Sequence, residues 1–180
     1  MSAGKLIALI GESGCGKSTV AAVLERRDGI KAVQSCTDRP KRSPDESGHI
    51  FLSADEYDRI PDDQKVAETT FDGHRYCATA AQIDECGVYI IDPSGYRELL
   101  TRYRGAKEII PIYISTTSNV RYWRMRRRGD SDAAARERLH HDIDAFLDAP
   151  NIEGVHVVDG NGTIGDTVRE IEKIANVWRW

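Results

Sequence analysis

Gly11-Glu12-Ser13-Gly14-Cys15-Gly16-Lys17-Ser18 stands directly after the apolar run Leu6-Ile7-Ala8-Leu9-Ile10 and opens a segment of helical character. Strand, G-x-x-x-x-G-K-[ST] loop and helix in that order make up the pattern of a phosphate-binding P-loop. The glycines let successive main-chain N–H groups turn inward around phosphate oxygens, and the N-terminus of the following helix adds partial positive charge. Ser13, Gly14, Cys15, Gly16, Lys17, Ser18 and Thr19 are therefore the candidate residues for a nucleoside triphosphate. Lys17 reaches the outer phosphates as a point charge. The Ser18 hydroxyl supplies one oxygen to a Mg²⁺ ion that keeps most of its waters.

Working outward, 180 residues with a net charge of −4 suffice for one domain with a sizeable core and inserted lobes. An acidic chain argues against a general nucleic-acid binder, although basic groups can still cluster around a small anion. Cys15, Cys36, Cys77 and Cys86 have neither C-x-x-C spacing nor the density of a secreted scaffold. With no signal-peptide core and no run of eighteen apolar residues, the expectation is a reduced, cytoplasmic protein without a membrane partner. Cys15, at a variable position of the loop, reads as a small tolerated side chain.

Apolar runs at 5–10, 88–91, 109–114 and 155–158 alternate with helical periodicity, the signature of an α/β fold: a three-layer α/β/α arrangement around a parallel core sheet. Val20, Val23 and Leu24 give the first helix an inward stripe. Leu139, Ile143, Phe146 and Leu147 are expected to do the same for a later one. The last helix reads Ile164, Val168, Ile171, Ile174 and Trp178, with Thr163 and Asp166 spaced as a capping box. Residues 34–85 break this rhythm with short polar and β-leaning pieces, three prolines and turn signals at Ser47-Gly48 and Asp72-Gly73, as an inserted mixed α+β lobe would. A second irregular zone, from Arg121 to about Ala135, is crowded with arginines and suggests a mobile lid. The division expected is a core of residues 1–33, 86–120 and 151–180, a lobe at 34–85, and a lid with its following helix at 121–150.

The lobe opens with Ser35-Cys36-Thr37-Asp38-Arg39-Pro40-Lys41-Arg42, and here the chain resembles the guanylate kinases over essentially its whole length. Family members carry a serine followed at four and seven positions by two arginines, the spacing of Ser35, Arg39 and Arg42. The resemblance implies that Arg39 and Arg42 grip the phosphate of GMP, a task that suits a planar, permanently charged guanidinium fork. Val66-Ala67-Glu68 and Phe71-Asp72-Gly73-His74-Arg75-Tyr76 resemble the family's acidic residue and hairpin, one residue shorter between the Glu and the Tyr. By that resemblance Glu68 accepts hydrogen bonds from guanine, Ser35 completes the base reading, and Tyr76 contacts the phosphate. Asp92, at the end of the strand-like Val88-Tyr89-Ile90-Ile91, matches the second aspartate of the family's D-x-D-x-x-G. Arg124, Arg128 and Arg138 match its lid arginines.

Three departures stand out. His49 occupies the place of a phosphate-binding tyrosine, Ile90 that of the first aspartate, and Cys77-Ala78 that of a glycine and a small hydroxyl residue. His140 and His141 lack a third metal ligand and point to different helix faces, so they are expected to face solvent.

The resemblance implies transfer of the γ-phosphoryl group of ATP, with Mg²⁺, to the phosphate of GMP, giving ADP and GDP in a monomer or homodimer. It also implies an adenine pocket around Asp159-Gly160-Asn161. Lys17, Arg124, Arg128 and Arg138 surround the transferred group; Ser35, Arg39, Arg42, His49, Glu68, Tyr76 and Asp92 hold the acceptor. Two rivals keep part of this machinery: a P-loop kinase acting on another small phosphorylated substrate, in which Glu68 is dispensable, and a non-catalytic module binding a phosphopeptide. A GTPase is disfavoured because no guanine-reading N-K-x-D is present.

Overall fold

The computed structural model describes residues 4–41, 44, 46–71 and 73–176; Arg42, Asp72 and Trp178, named above, lie outside the described residues. Strand β1 (Lys5–Ile10) is buried on both faces, as its unbroken apolar run requires. It pairs in parallel with β6 (Val88–Ile90) on one side and β7 (Glu108–Ser115) on the other, and β8 (His156–Asp159) follows β7, giving a sheet of order β6-β1-β7-β8.

Alternate residues of β1 feed two cores, because successive side chains of a strand point to opposite faces. Ile7 and Leu9 pack with Val20 and Leu24 of α1 (Lys17–Asp28) and with Val168 and Ile171 of α7 (Ile164–Ala175). Leu6, Ala8 and Ile10 pack on the other face with Tyr96 and Leu99 of α4 (Pro93–Arg102). The α/β/α layering follows from that split. Thr163 caps α7 by accepting the amide of Asp166 at 3.2 Å.

A second sheet, of order β3-β2-β5-β4, is built from β2 (Ser35–Thr37), β3 (His49–Phe51), β4 (Lys65–Phe71) and β5 (His74–Thr79). β2 and β3 run parallel, while β5 pairs antiparallel with both β2 and β4. Two short helices, α2 (Ala54–Asp58) and α3 (Ala80–Glu85), each start at a full capping box, Ser53 with Glu56 and Thr79 with Gln82. Cys36 and Cys77 face each other across β2 and β5, and with Tyr57 they form a small separate core. A hydrogen bond between the Cys77 and Cys36 thiols holds the Cys36 pKa below the usual thiol value and raises that of Cys77.

Two expectations fail. The zone from Arg121 to about Ala135, expected to be irregular, is regular: it lies in a helical hairpin, α5 (Ser118–Arg128) and α6 (Asp132–Ala145). Arginine is a good helix former, and Gly129, in the left-handed region at φ 105°, supplies the stop that the turn needs. The apolar stripe assigned to 139–147 is also out of phase. Phe146 is buried, Leu139 is half-buried, and Ile143 and Leu147 are 59% and 68% exposed. The buried face of α6 carries Ala135 and Asp142 instead, and the helix ends before Phe146, so 146 and 147 do not continue its periodicity.

Candidate active site

The P-loop leaves β1 at Ile10 and enters α1 at Lys17, with Gly16 as a left-handed N-cap and no side chain bonded to the first-turn amides. Those amides are free to serve an anion in place of a capping oxygen. Gly14, at φ 80°, is required twice over, since a Cβ there would sit 2.8 Å from the carbonyl oxygen of Arg121. Cys15 turns inward and is buried beside Leu9 and Ile114. Lys17 Nζ donates to the carbonyls of Gly11 and, at 3.1 Å, Glu12.

A cavity of about 680 Å³ opens over this loop. Ser13, Lys17, Ser18 and Thr19 of the P-loop and α1, Arg124, Arg128 and Arg138 of the helices after β7, and Ser35, His49, Tyr76 and Asp92 all line it. The structure thus brings residues from 13 to 138 to one cavity. Gly14 and Gly16 line it as well.

The arginines differ in how they are held. Arg124 donates to the carbonyls of Cys15 at 2.9 Å and Gly160 at 2.8 Å, tying α5 to the P-loop and to the turn after β8. Arg128 pairs with Asp130 at 2.6 Å and is 56% exposed, and Arg138 stands 3.9 Å from the same carboxylate. Arg121, on the same helix face by spacing, does not join them. It is buried, bonded to Asp142 at 3.1 Å and 3.8 Å from Glu12. Asp142 in turn accepts from the amide of Ser13 at 2.8 Å and from its hydroxyl at 3.3 Å. A buried charged network therefore joins the P-loop to both helices of the hairpin. No local pattern in the sequence marks Arg121 or Asp142 for burial among so many exposed charges.

On the acceptor wall, Ser35 Oγ and His49 Nδ1 are hydrogen-bonded at 2.9 Å, and the His49 ring meets Tyr76 edge-on at 5.6 Å. Tyr89 reaches Ser35 from below with its hydroxyl; burial pushes its phenol well above the usual value. Arg39 lies behind Tyr76, whose hydroxyl accepts from its Nε at 3.0 Å. Its Nη2 holds Glu46 at 2.7 Å and its Nη1 bonds the Pro40 carbonyl at 2.8 Å, so the fork is buried and engaged. Asp92 caps α4: its Oδ1 accepts from the amides of Ser94 at 2.9 Å and Gly95 at 3.0 Å, and Thr69 Oγ1 lies 3.4 Å away.

Glu68 is not brought to the cavity. Ala67, Thr69 and Phe71 of β4 line it, and the strand's alternation puts Glu68 on the other face. There it accepts from Tyr57 Oη at 3.1 Å and pairs with Lys65 at 3.3 Å. The signal was present in the sequence. With Tyr76 kept in register, the shortened hairpin places the family's acidic position on Ala67.

His140 and His141 are both exposed, and His141 packs edge-on against Phe71 at 4.7 Å. Among the described residues there is no cluster of three or more metal-ligating side chains, and no helix is long and apolar enough to cross a membrane.

Comparison with known proteins bears on this arrangement. A family model described as an AAA domain matches residues 7–144. A guanylate kinase from Fusobacterium nucleatum subsp. nucleatum is 33% identical over 88 residues, 47% of this chain and 48% of that protein, so the chain spans about half the length of this curated relative in the match. Among solved structures, a guanylate kinase from Anaplasma phagocytophilum superposes with a TM-score of 0.66 at 20% identity, covering 98% of this chain and 86% of that one. A gluconokinase from Sinorhizobium meliloti 1021 does so with a TM-score of 0.53 at 17% identity, covering 98% and 92%. Such identities speak to the fold. With more than half of its length matched by one family model, the chain belongs to the AAA domain family and is guanylate kinase-like in fold and, over the aligned half, in sequence.

Proposed function

We propose that the chain is a phosphotransferase that moves the γ-phosphoryl group of ATP onto the phosphate of a nucleoside monophosphate, GMP being the acceptor the family resemblance names. The observation that carries this is that the P-loop, the acceptor-side residues Ser35, His49 and Tyr76, and Arg124, Arg128 and Arg138 line one cavity. The bond between the γ-phosphorus and the β–γ bridging oxygen breaks, a bond from an acceptor phosphate oxygen to the same phosphorus forms, and ADP and a nucleoside diphosphate leave. That oxygen is already anionic, so alignment and charge neutralisation are the protein's contribution. Lys17 and the loop amides hold the donor phosphates, those arginines neutralise charge on the group in flight, and Tyr76 with Arg39 behind it steadies the acceptor.

Mg²⁺ fits the donor set. The exposed Ser18 hydroxyl is a hard oxygen ligand, and a metal that keeps its waters and binds substrate phosphates needs few protein ligands. Held by the Ser18 hydroxyl, it would offset the negative charge of the substrate phosphates. The turn at Asp159-Gly160-Asn161, packed against Arg124, is the proposed adenine side. The core, lobe and lid boundaries given above are proposed as the units that close around the two substrates, in a monomer or homodimer of the cytoplasm.

The test is an ADP-release assay with ATP and Mg²⁺ against GMP, dGMP, AMP, CMP, UMP and a set of sugar phosphates. Turnover with monophosphates is expected, and silence across all of them would end the proposal. A second reading, a kinase for a phosphorylated acceptor without a base, is favoured by one observation: Glu68 turns away from the cavity. Turnover with sugar phosphates alone would establish it.

A further inference from the structure

Base selection in a phosphate-accepting pocket depends on which polar atoms face the base. On β4 the cavity-facing side chains are Ala67, Thr69 and Phe71. Ala67 is 2% exposed and offers no hydrogen-bonding group. Glu68 is paired through its backbone with Cys77 of β5, and its carboxylate is engaged on the far side by Tyr57 and Lys65, with Arg102 3.8 Å away. Rotating a side chain cannot carry it through the sheet. A one-residue step along a strand reverses the face, so reaching the cavity would mean unpairing β4.

The other carboxylate lining that side of the cavity, Asp92, spends one of its two oxygens on capping α4. Asp92 Oδ1 receives two amides at the start of α4, with Thr69 Oγ1 as a third neighbour. Besides the second oxygen of Asp92, the lining offers apolar surface from Ala67, Phe71 and Ile90, and hydroxyls from Ser35, Thr69 and Tyr89. A hydroxyl both donates and accepts, and it can turn to suit either kind of base edge.

We propose that this site takes nucleoside monophosphates with little regard for the base, because the strand that would present a base-reading carboxylate presents Ala67 instead. The inference rests on the phosphoryl-transfer reading above and deepens it. A site that must hydrogen-bond a specific group rejects analogues lacking it by about 10⁴-fold to 10⁵-fold, whereas a pocket that discriminates by shape manages about 10-fold to 200-fold. The second regime applies here.

The experiment is a comparison of kcat/KM for GMP, AMP, CMP and UMP at fixed ATP and Mg²⁺. The expected spread between best and worst base is below about 200-fold. A larger preference for one base overturns the inference while leaving phosphoryl transfer standing, and no turnover with any of the four overturns both. Two variants sharpen the result. Ala67→Glu puts a carboxylate on the cavity face and should raise the GMP-to-AMP ratio at least about tenfold, the effect of one added hydrogen-bonded discrimination; an unchanged ratio in a folded, active variant counts against the proposal. Glu68→Gln should leave that ratio within about twofold, as expected of a side chain outside the cavity, while lowering the melting temperature through its contacts with Tyr57 and Lys65. A collapse of base preference in Glu68→Gln would overturn the assignment whatever Ala67→Glu does.

Discussion

Lys17 and Asp142 both line the cavity and are unequally visible in the chain. Lys17→Ala should cut ADP release by at least about a hundredfold, the usual effect of removing one preorganised donor to developing charge, with circular dichroism unchanged. Asp142→Ala should act on the fold instead. It leaves the buried Arg121 with the longer Glu12 contact at 3.8 Å and takes the acceptor from the Ser13 amide, and breaking a buried pair from one side costs about 3 kcal/mol, measurable as a lowered urea midpoint. Lys17 is legible because the P-loop is a local pattern whose chemistry is fixed within eight residues. Asp142 is illegible because whether an aspartate is buried depends on what a distant helix sets against it. Glu68 is an intermediate case: its chemistry was legible, but its face depended on a register that the shortened hairpin shifts by one.

At the scale of elements, strands were read well because a doubly covered parallel sheet writes itself as unbroken apolar runs. The stretch from Arg121 to about Ala135 is hard to read as helix because its turn is brief and its residues are highly charged, so composition resembles a loop while propensity favours helix. The two ends of that turn make separate predictions. Gly129→Ala meets no steric obstacle, since nothing lies within 4 Å of the added Cβ, yet it must hold φ near 105°, a loss of about 1–2 kcal/mol. Ser131→Ala removes the oxygen that accepts the Ala134 amide at 3.1 Å and should lose about 1 kcal/mol. Thermal unfolding of both single variants and the double variant would show whether the turn behaves as one unit.

For the whole molecule, acid is the revealing stress. Burial alone pushes the Asp38 carboxyl up, but bonds from the Arg75 side chain and amide outweigh it and hold it below the usual carboxylate range. Asp62, Asp132, Asp159 and Asp166 are lowered as well, by bonds to neighbouring side chains or amides. A carboxyl whose folded pKa is depressed adds stability that is present above its unfolded pKa and lost as pH falls through its folded one. The urea midpoint should therefore hold steady down to about pH 4 and drop below it. Asp38→Asn should flatten that drop, and an identical pH profile in the variant would remove Asp38 from the account. Finally, Arg39 already has a carboxylate incumbent in Glu46. An anion seeking that guanidinium enters by counter-ion exchange and has to outcompete a tethered monoanion. Buried behind Tyr76 and already neutralised, the guanidinium bears on the cavity through the Tyr76 hydroxyl it holds, so loosening Glu46 is the step that direct access to its charge would require.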